Sequence, residues 1–363
     1  VEFRPRPLEG VGVSTFWRGR RVLVTGHTGF KGAWLCLWLE RLGAQVSALA
    51  LAPDTEPALY DVLKPWTGQS HHEADIRDLA ALSAGVAAAE PEIVIHMAAQ
   101  ALVRRSYADP VETFATNVLG TVNLLSAVRG VPGIEAVVVV TTDKVYANDN
   151  AGRPFGEDDA LGGKDPYSSS KACAELATQC FRDSFFSTVG PKIATARAGN
   201  VIGGGDWSAD RLVPDFVRAL SAGAPVRLRY PDSVRPWQHV LEPLSGYLTL
   251  AEVLVSRPDA APTAINFGPD PDSFASVAQV AEGLGRAFGM TTPWLPAGGT
   301  HPPEAKALLL RSDRAAEALG WRPRLSMADT ISWTADWYRA YRAGADMRAV
   351  CLEQIARYEE LAS

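Results

Sequence analysis

Two short runs near the middle of the chain carry residue types suited to acid/base chemistry. Thr142, Asp143 and Lys144 close an apolar stretch of β character, and Tyr167 stands four residues before Lys171 at the start of the helical segment that follows. At that spacing a Tyr and a Lys share one helix face, so the ammonium is expected under the phenol, where it favours the ionised form. That pair makes a proton-abstracting tyrosinate. An Asp and a Lys at the carboxyl end of a neighbouring strand put a second acid/base pair beside the first. Oxidation of an alcohol needs only the first pair, so the second implies a further chemical step.

A frame of strands and helices must hold these groups. Apolar runs of strand length at Arg21–Thr25, Val46–Leu51, His72–Ile76, Ile93–Met97, Ala136–Thr142 and Ile193–Ala198 alternate with segments of helical period. The helical segments are Gly32–Leu42, a stretch ending at Glu90, Pro110–Arg129 and the region around Lys171. Strands this apolar, joined by helix-length crossovers, predict a parallel sheet covered on both faces: an α/β, doubly wound, Rossmann-type fold. After Asn200 the run Gly203–Gly205 and several prolines interrupt the alternation, which resumes with a helix over Leu241–Leu254 and a strand over Ala264–Gly268. The expected organisation is a cofactor-binding domain of residues 16–200 and 237–268, a smaller mixed α/β substrate lobe of residues 201–236 and 269–345, and a C-terminal helix or tail at 346–363. The substrate is expected between the two lobes.

Gly26, Gly29 and Gly32 follow the first strand and open the first helix, where a dinucleotide pyrophosphate needs close backbone approach. On this reading Gly26, Thr28, Gly29, Phe30, Lys31 and Gly32 form the cofactor loop, with Lys31 either on phosphate or solvated in the first turn. Asp75 and Ile76, after the third strand, border the adenine, and Ala98, Ala99 and Gln100, after the fourth, run beside the cofactor; strand-end packing is the alternative for each. Asn117 either bonds backbone or bound water in a proton path or packs within its helix. Neither an acidic residue nor an Arg closes the second strand, so the choice between NAD and NADP stays open there and leans to NAD.

Composition narrows the class. The 363 residues are 47% apolar, enough for a sizeable core, and the net charge of −6 is spread without basic runs, which argues against a general nucleic-acid binder. No apolar run reaches the roughly 18 residues of a membrane span, and Val1–Thr15 lack the apolar core of a signal peptide, so the expected location is cytoplasmic. Cys36, Cys173, Cys180 and Cys351 show no Cys-x-x-Cys spacing and read as buried thiols, with no metal site expected. Only seven Lys occur against 28 Arg, yet Lys31, Lys144 and Lys171 all fall in the motifs above.

The glycine loop, Asn117, the Tyr167/Lys171 pair and Arg197–Asn200 together resemble the extended short-chain dehydrogenase/reductases of nucleotide-sugar metabolism, the NAD-dependent epimerase/dehydratase family, over nearly the whole chain. Phe16–Gly19, Gly26–Gly32, Asn200–Trp207 and Arg235–Pro243 are more narrowly similar to the CDP-glucose 4,6-dehydratases. The resemblance implies tightly held NAD, conversion of CDP-D-glucose into CDP-4-dehydro-6-deoxy-D-glucose, a precursor of deoxysugars, and a homodimer or dimer of dimers. It implies that Tyr167 deprotonates the sugar 4-hydroxyl, held by Thr142, and that Asp143 is the acid for the departing C6 hydroxyl. Lys144 stands where dTDP-glucose dehydratases carry a glutamate base, and the residues leave open whether it moves a proton or only positions Asp143. Asn200, Arg235 and His239 are expected on the substrate, Arg235 because its fork matches phosphate oxygens. The chain departs from the family at Thr142, where Ser is usual, at Val145, where Cys is usual, and at Pro303, where His is usual. A 4-epimerase would use the same Tyr, Lys and NAD, and Asp143 and Lys144 argue against it. A noncatalytic dinucleotide sensor would not need an intact Tyr167, Lys171 and Asp143. A dehydratase acting on another nucleotide sugar remains the alternative.

Overall fold

The computed structural model describes residues 15–299, 301 and 305–361; most of the N-terminal segment expected to lack a signal core, and the departure at Pro303, lie outside the described residues. Seven parallel strands form the central sheet: β1 (Arg21–Thr25), β2 (Gln45–Ala50), β3 (Gln69–Glu73), β4 (Ile93–His96), β5 (Ala136–Val140), β6 (Lys192–Ala198) and β7 (Ala264–Phe267). They pair in the order β7-β6-β5-β4-β1-β2-β3. Every residue of β4 and β5 is buried, as expected of parallel strands covered on both faces.

The covering helices are α1 (Phe30–Arg41), α2 (Leu79–Ala89), α3 (Gly120–Arg129), α4 (Pro166–Phe185), α5 (Leu212–Ser221), α6 (Leu241–Ser256), α7 (Val277–Ala287), α8 (Met327–Arg342) and α9 (Met347–Glu360). One face packs α2 and α3 over Leu23, Val94 and Val137. The other packs α1, α6, α8 and α9 over Val22, Val24, Ile95 and Val138, since successive side chains of a strand point to opposite faces. Crossovers leave β1 and β4 in opposite directions, which opens a crevice at their carboxyl ends.

Between β6 and β7, and again after β7, the chain builds short pairings outside the sheet. Val201–Ile202 runs parallel to Gln238–His239, Val234–Arg235 antiparallel to Ala275–Ser276, and Val226–Leu228 parallel to Trp294–Pro296. With α5 and α7 they stand beside the crevice. The C-terminal segment is a docked helix: Cys351, Ile355 and Tyr358 of α9 are fully buried, and the Tyr358 hydroxyl donates to Glu242 Oε2 at 2.6 Å.

Three local expectations differ from the structure. The third strand lies three residues earlier than its apolar end suggested, because β3 pairs Gln69 with Val46 as a polar edge strand. The single helix expected over Pro110–Arg129 is Pro110–Phe114, a π-helical segment at Ala115–Leu119 and then α3. Of the cysteines read as buried, Cys180 is exposed and Cys173 half-buried, because both sit on the outer side of α4.

Candidate active site

Helix α4 brings Tyr167 into place through its own N-terminus. Asp165 caps the helix by accepting the Ser168 amide at 2.9 Å, and Pro166 occupies the first turn. Tyr167 therefore enters the crevice beside the end of β5, where Thr142, Asp143 and Lys144 turn over a short 3₁₀ segment. Thr142, Asp143, Lys144, Tyr167 and Lys171 all line one cleft of about 510 Å³. Burial pushes the Tyr167 phenol up to about 12, opposed by a hydrogen bond with Thr142 and by the charge of Arg211. Lys171 shares the helix face as expected, yet its ammonium donates to the Val140 carbonyl at 3.2 Å instead of lying against the phenol. Burial brings that ammonium down to about 8, against the opposing charge of Glu175.

The second pair lies beside the first. Asp143 is 1% exposed; its Oδ1 accepts the Thr142 hydroxyl at 3.0 Å, and its Oδ2 has no hydrogen-bond partner among the described residues. Burial raises this carboxyl, offset by Lys144, the Thr142 hydroxyl and Arg235, so it holds a proton more readily than an exposed aspartate. A buried acid with one oxygen unpaired, on a residue that lines the cleft, is equipped to protonate a leaving group. Lys144 is half-buried on the same rim.

The turn between β1 and α1 is shaped for a pyrophosphate. Gly26 has φ +81, and a Cβ there would lie 2.7 Å from the Ala98 nitrogen; at Gly32 a Cβ would lie 2.1 Å from the Gly26 carbonyl oxygen. Only glycine fits either place. Gly29 caps α1 with no side-chain hydrogen bond, and the first turn holds no acidic residue, so its amides are available to an anion. The Thr28 hydroxyl donates to the Leu51 carbonyl at 2.9 Å and pins the turn to the end of β2. These residues fit a dinucleotide.

Other expected contacts fall elsewhere. His239 is fully buried between Trp34 and Trp333, at 6.4 and 5.8 Å, and does not line the cleft, which corrects its reading as a substrate contact: its strand turns that side chain into the core. Asn117, reoriented by the π-helical turn, accepts the Gln100 amide at 2.8 Å and donates to the Gln100 carbonyl and the Ser170 hydroxyl at 3.0 and 2.9 Å. It braces the loop after β4 against α4. Gln100 points inward to Thr113 at 2.8 Å, and Ile76 is a core residue against Gly120, so packing accounts for both. Asp75 is engaged by Arg77, and Phe30 reaches towards Gly203. Lys31 is neither solvated nor at the turn: its ammonium lies in the cleft and donates to the Tyr247 hydroxyl at 3.2 Å. Burial and the charges of Arg211 and Lys171 bring it down to about 7, with Asp143 opposing. Ala99, Asn200 and Arg235 line the cleft, with Ala98 packed on Gly26.

Two residues of the site carried no expectation. Arg211 comes from the segment between β6 and β7, where no motif marked it, and pairs with Asp206 at 3.4 Å. Glu175 follows Lys171 by one helical turn, and a carboxylate on an otherwise buried face was its available signal.

A doubly wound sheet, a glycine turn and an acid/base helix beside the crevice define an enzyme that works on an alcohol with a bound dinucleotide. Comparison with known proteins agrees with the geometry. The chain belongs to the NAD dependent epimerase/dehydratase family, whose model matches residues 22–267. It is 44% identical to a CDP-glucose 4,6-dehydratase of Salmonella typhimurium over 94% of this chain and 97% of the relative. It is 32% identical to a dTDP-glucose 4,6-dehydratase of Streptomyces antibioticus over 70% of this chain and 72% of that one. Among solved structures, a Thermus thermophilus UDP-glucose 4-epimerase in complex with NAD superposes with a TM-score of 0.75 at 26% identity, covering 88% of this chain and 99% of its own.

Proposed function

We propose that the chain is an NAD-dependent nucleotide-sugar dehydratase that converts CDP-D-glucose into CDP-4-dehydro-6-deoxy-D-glucose. The observation that carries this reading is the buried Asp143, one oxygen unpaired, with Lys144 beside it in the same cleft as Tyr167 and Lys171. An epimerase needs no such second pair. The 44% identity to a dehydratase of that specificity supports CDP as the nucleotide.

The Gly26–Gly32 turn would hold NAD, which would supply the hydride acceptor and donor that the sugar needs. Tyr167 takes the proton of the 4-hydroxyl, which Thr142 holds; Arg211 provides the nearby positive charge that a buried tyrosinate needs, and Lys171 lines the same cleft. The resulting 4-ketone acidifies the C5 hydrogen. Lys144 removes that proton while Asp143 protonates the C6 hydroxyl, which departs as water. A proton returned to C5 then completes the product with no net redox change. Arg235 and Asn200 line the cleft where the sugar and its diphosphate lie.

The assembly is a homodimer. Val111 and Phe114 on one short helix and Leu176 on the adjoining α4 are large exposed apolar side chains on neighbouring surfaces, which a second copy would cover. No helix of the described residues is long and apolar enough to cross a membrane. Cytoplasmic work accords with a nucleotide-sugar substrate and with four cysteines outside any disulfide.

The test is incubation of the purified protein with glucose linked to CDP, dTDP, UDP or GDP and deuterated at C4, with products identified by mass and NMR. Deuterium at C6 of a CDP-linked product is the expected result. Deuterium retained at C4 with inverted configuration would make the protein an epimerase.

A further inference from the structure

Glu175 continues the series Tyr167, Lys171 along one face of α4 and is 4% exposed. Both its oxygens are fully engaged. Arg197 donates from Nε to Oε1 at 2.9 Å and from Nη2 to Oε2 at 2.8 Å, Thr195 donates to Oε2 at 2.7 Å, and the Thr141 hydroxyl donates to Oε1. Arg197 in turn donates to the Tyr146 hydroxyl at 2.9 Å, and that hydroxyl donates to Asn266 at 2.6 Å. Thr141 directly precedes Thr142, and Lys171 holds the Val140 carbonyl. Two consecutive residues at the end of β5 are therefore held by two consecutive turns of α4.

A buried ion pair is weak evidence for stability, because well-packed apolar side chains of similar volume often serve as well. The charge needs another explanation, and Lys171 offers one. The groups whose charges bear on that ammonium are His96 of β4, Lys31 of α1 and Glu175 of its own helix, with Tyr167 one helical turn before it and Asp143 beside Lys31 in the cleft lining. His96 is neutral at working pH, Lys31 repels, and Tyr167 must lose its charge to act as an acid again. Among the described residues Glu175 is the anion that opposes the burial of Lys171.

We propose that Glu175 is a positioning residue for the acid/base helix: its carboxylate fixes the end of β5 through Thr141 and keeps Lys171 charged while Tyr167 works as the base. This rests on the roles given above to Tyr167 and Lys171. The decisive comparison is Arg197→Met, which keeps the carboxylate, against Glu175→Gln combined with Arg197→Met, which removes it without leaving a buried guanidinium unpaired. In the protein alone, the rate of Lys171 acetylation, followed by mass spectrometry across pH, reports when that amine loses its proton. Its midpoint is expected to lie about one pH unit lower in the double variant, and the alkaline limb of kcat with CDP-glucose should move with it. Starting from a midpoint of about 8, that shift lowers turnover at pH 8 roughly fivefold. Equal midpoints in the two variants would overturn the proposal and leave Glu175 a packing element. If the double variant fails to fold, Arg197→Gln against Glu175→Gln combined with Arg197→Gln makes the same comparison. Wild type that turns over no nucleotide sugar would refute the proposed function, while the labelling midpoint still decides the role of Glu175.

Discussion

Replacement of Gly32 by Ala tests the cofactor turn most directly. The added methyl would sit 2.1 Å from the Gly26 oxygen, 2.7 Å from the His27 Cα and 2.8 Å from the Gly26 carbonyl carbon, all backbone atoms. Ordinary contact begins near 3.4 Å, so the turn must move by about 1.3 Å. It has little room to retreat, because the Gly26 amide donates to the Leu49 carbonyl at 2.9 Å and the Ala98 backbone stands behind it. Overpacking of this kind costs roughly 1–3 kcal/mol of stability. A displacement above 1 Å also breaks amide hydrogen bonds to a diphosphate, at roughly 1.5–3 kcal/mol each. Loss of two such bonds weakens NAD binding by about 10²- to 10⁴-fold. Gly29→Ala is the control, since its methyl would lie 3.5 Å from the Gly26 oxygen at an ordinary φ of −77, and its Tm should match wild type. Calorimetric titration with NAD and thermal melts of both variants provide the readouts. Gly32→Ala that binds NAD within about threefold of wild type, with unchanged Tm, would refute the reasoning.

Asp143→Asn is expected to lower turnover by about 10²- to 10⁴-fold while a 4-keto sugar still carrying its C6 hydroxyl can be trapped with borodeuteride. Lys144→Ala should stop at the same point; normal product from that variant would remove Lys144 from the mechanism. His27, His96 and His239 are held by burial at about 4, 3 and 3 against an ordinary 6.5, so the unfolded chain binds up to three more protons as pH falls below 6.5. Their contribution is present above 6.5 and lost on acidification towards about 3, at up to about 4 kcal/mol per pH unit, with the raised carboxyls Asp143 and Glu242 blunting the loss at the acid end. The urea midpoint should therefore drop clearly between pH 7 and 5.5, and an unchanged midpoint would contradict the buried neutral imidazoles. Tyr358→Phe leaves Glu242 Oε2 without its 2.6 Å donor and should cost about 1–3 kcal/mol, measurable as a lower Tm.

The alternation of strands and helices in a parallel sheet, the glycine turn and the juxtaposition of Tyr167, Lys171, Asp143 and Lys144 were legible in the sequence. Each rests on local regularities: continuous apolar runs for strands buried on both faces, a fixed glycine spacing for a crowded turn, and a four-residue helical interval. The polar edge strand β3 was misplaced because half-exposed residues carry little period, and the π-helical turn at Asn117 left no periodic trace.

Charge state and direction of side chains were decided by the tertiary structure alone. Asp143 holds a proton more readily than an exposed aspartate because the fold buries it, and Tyr167 draws support from Arg211, far away in the chain. His239 sits in a motif beside Arg235, yet one side chain faces the core and the other the cleft. Lys31 left the turn for Tyr247 because α6 places that buried hydroxyl within its reach. Residue identity and spacing therefore determined which acids and bases the protein owns. Desolvation and long-range contacts, which depend on what packs around each group in space, decided which of them hold a proton and which of them face the substrate.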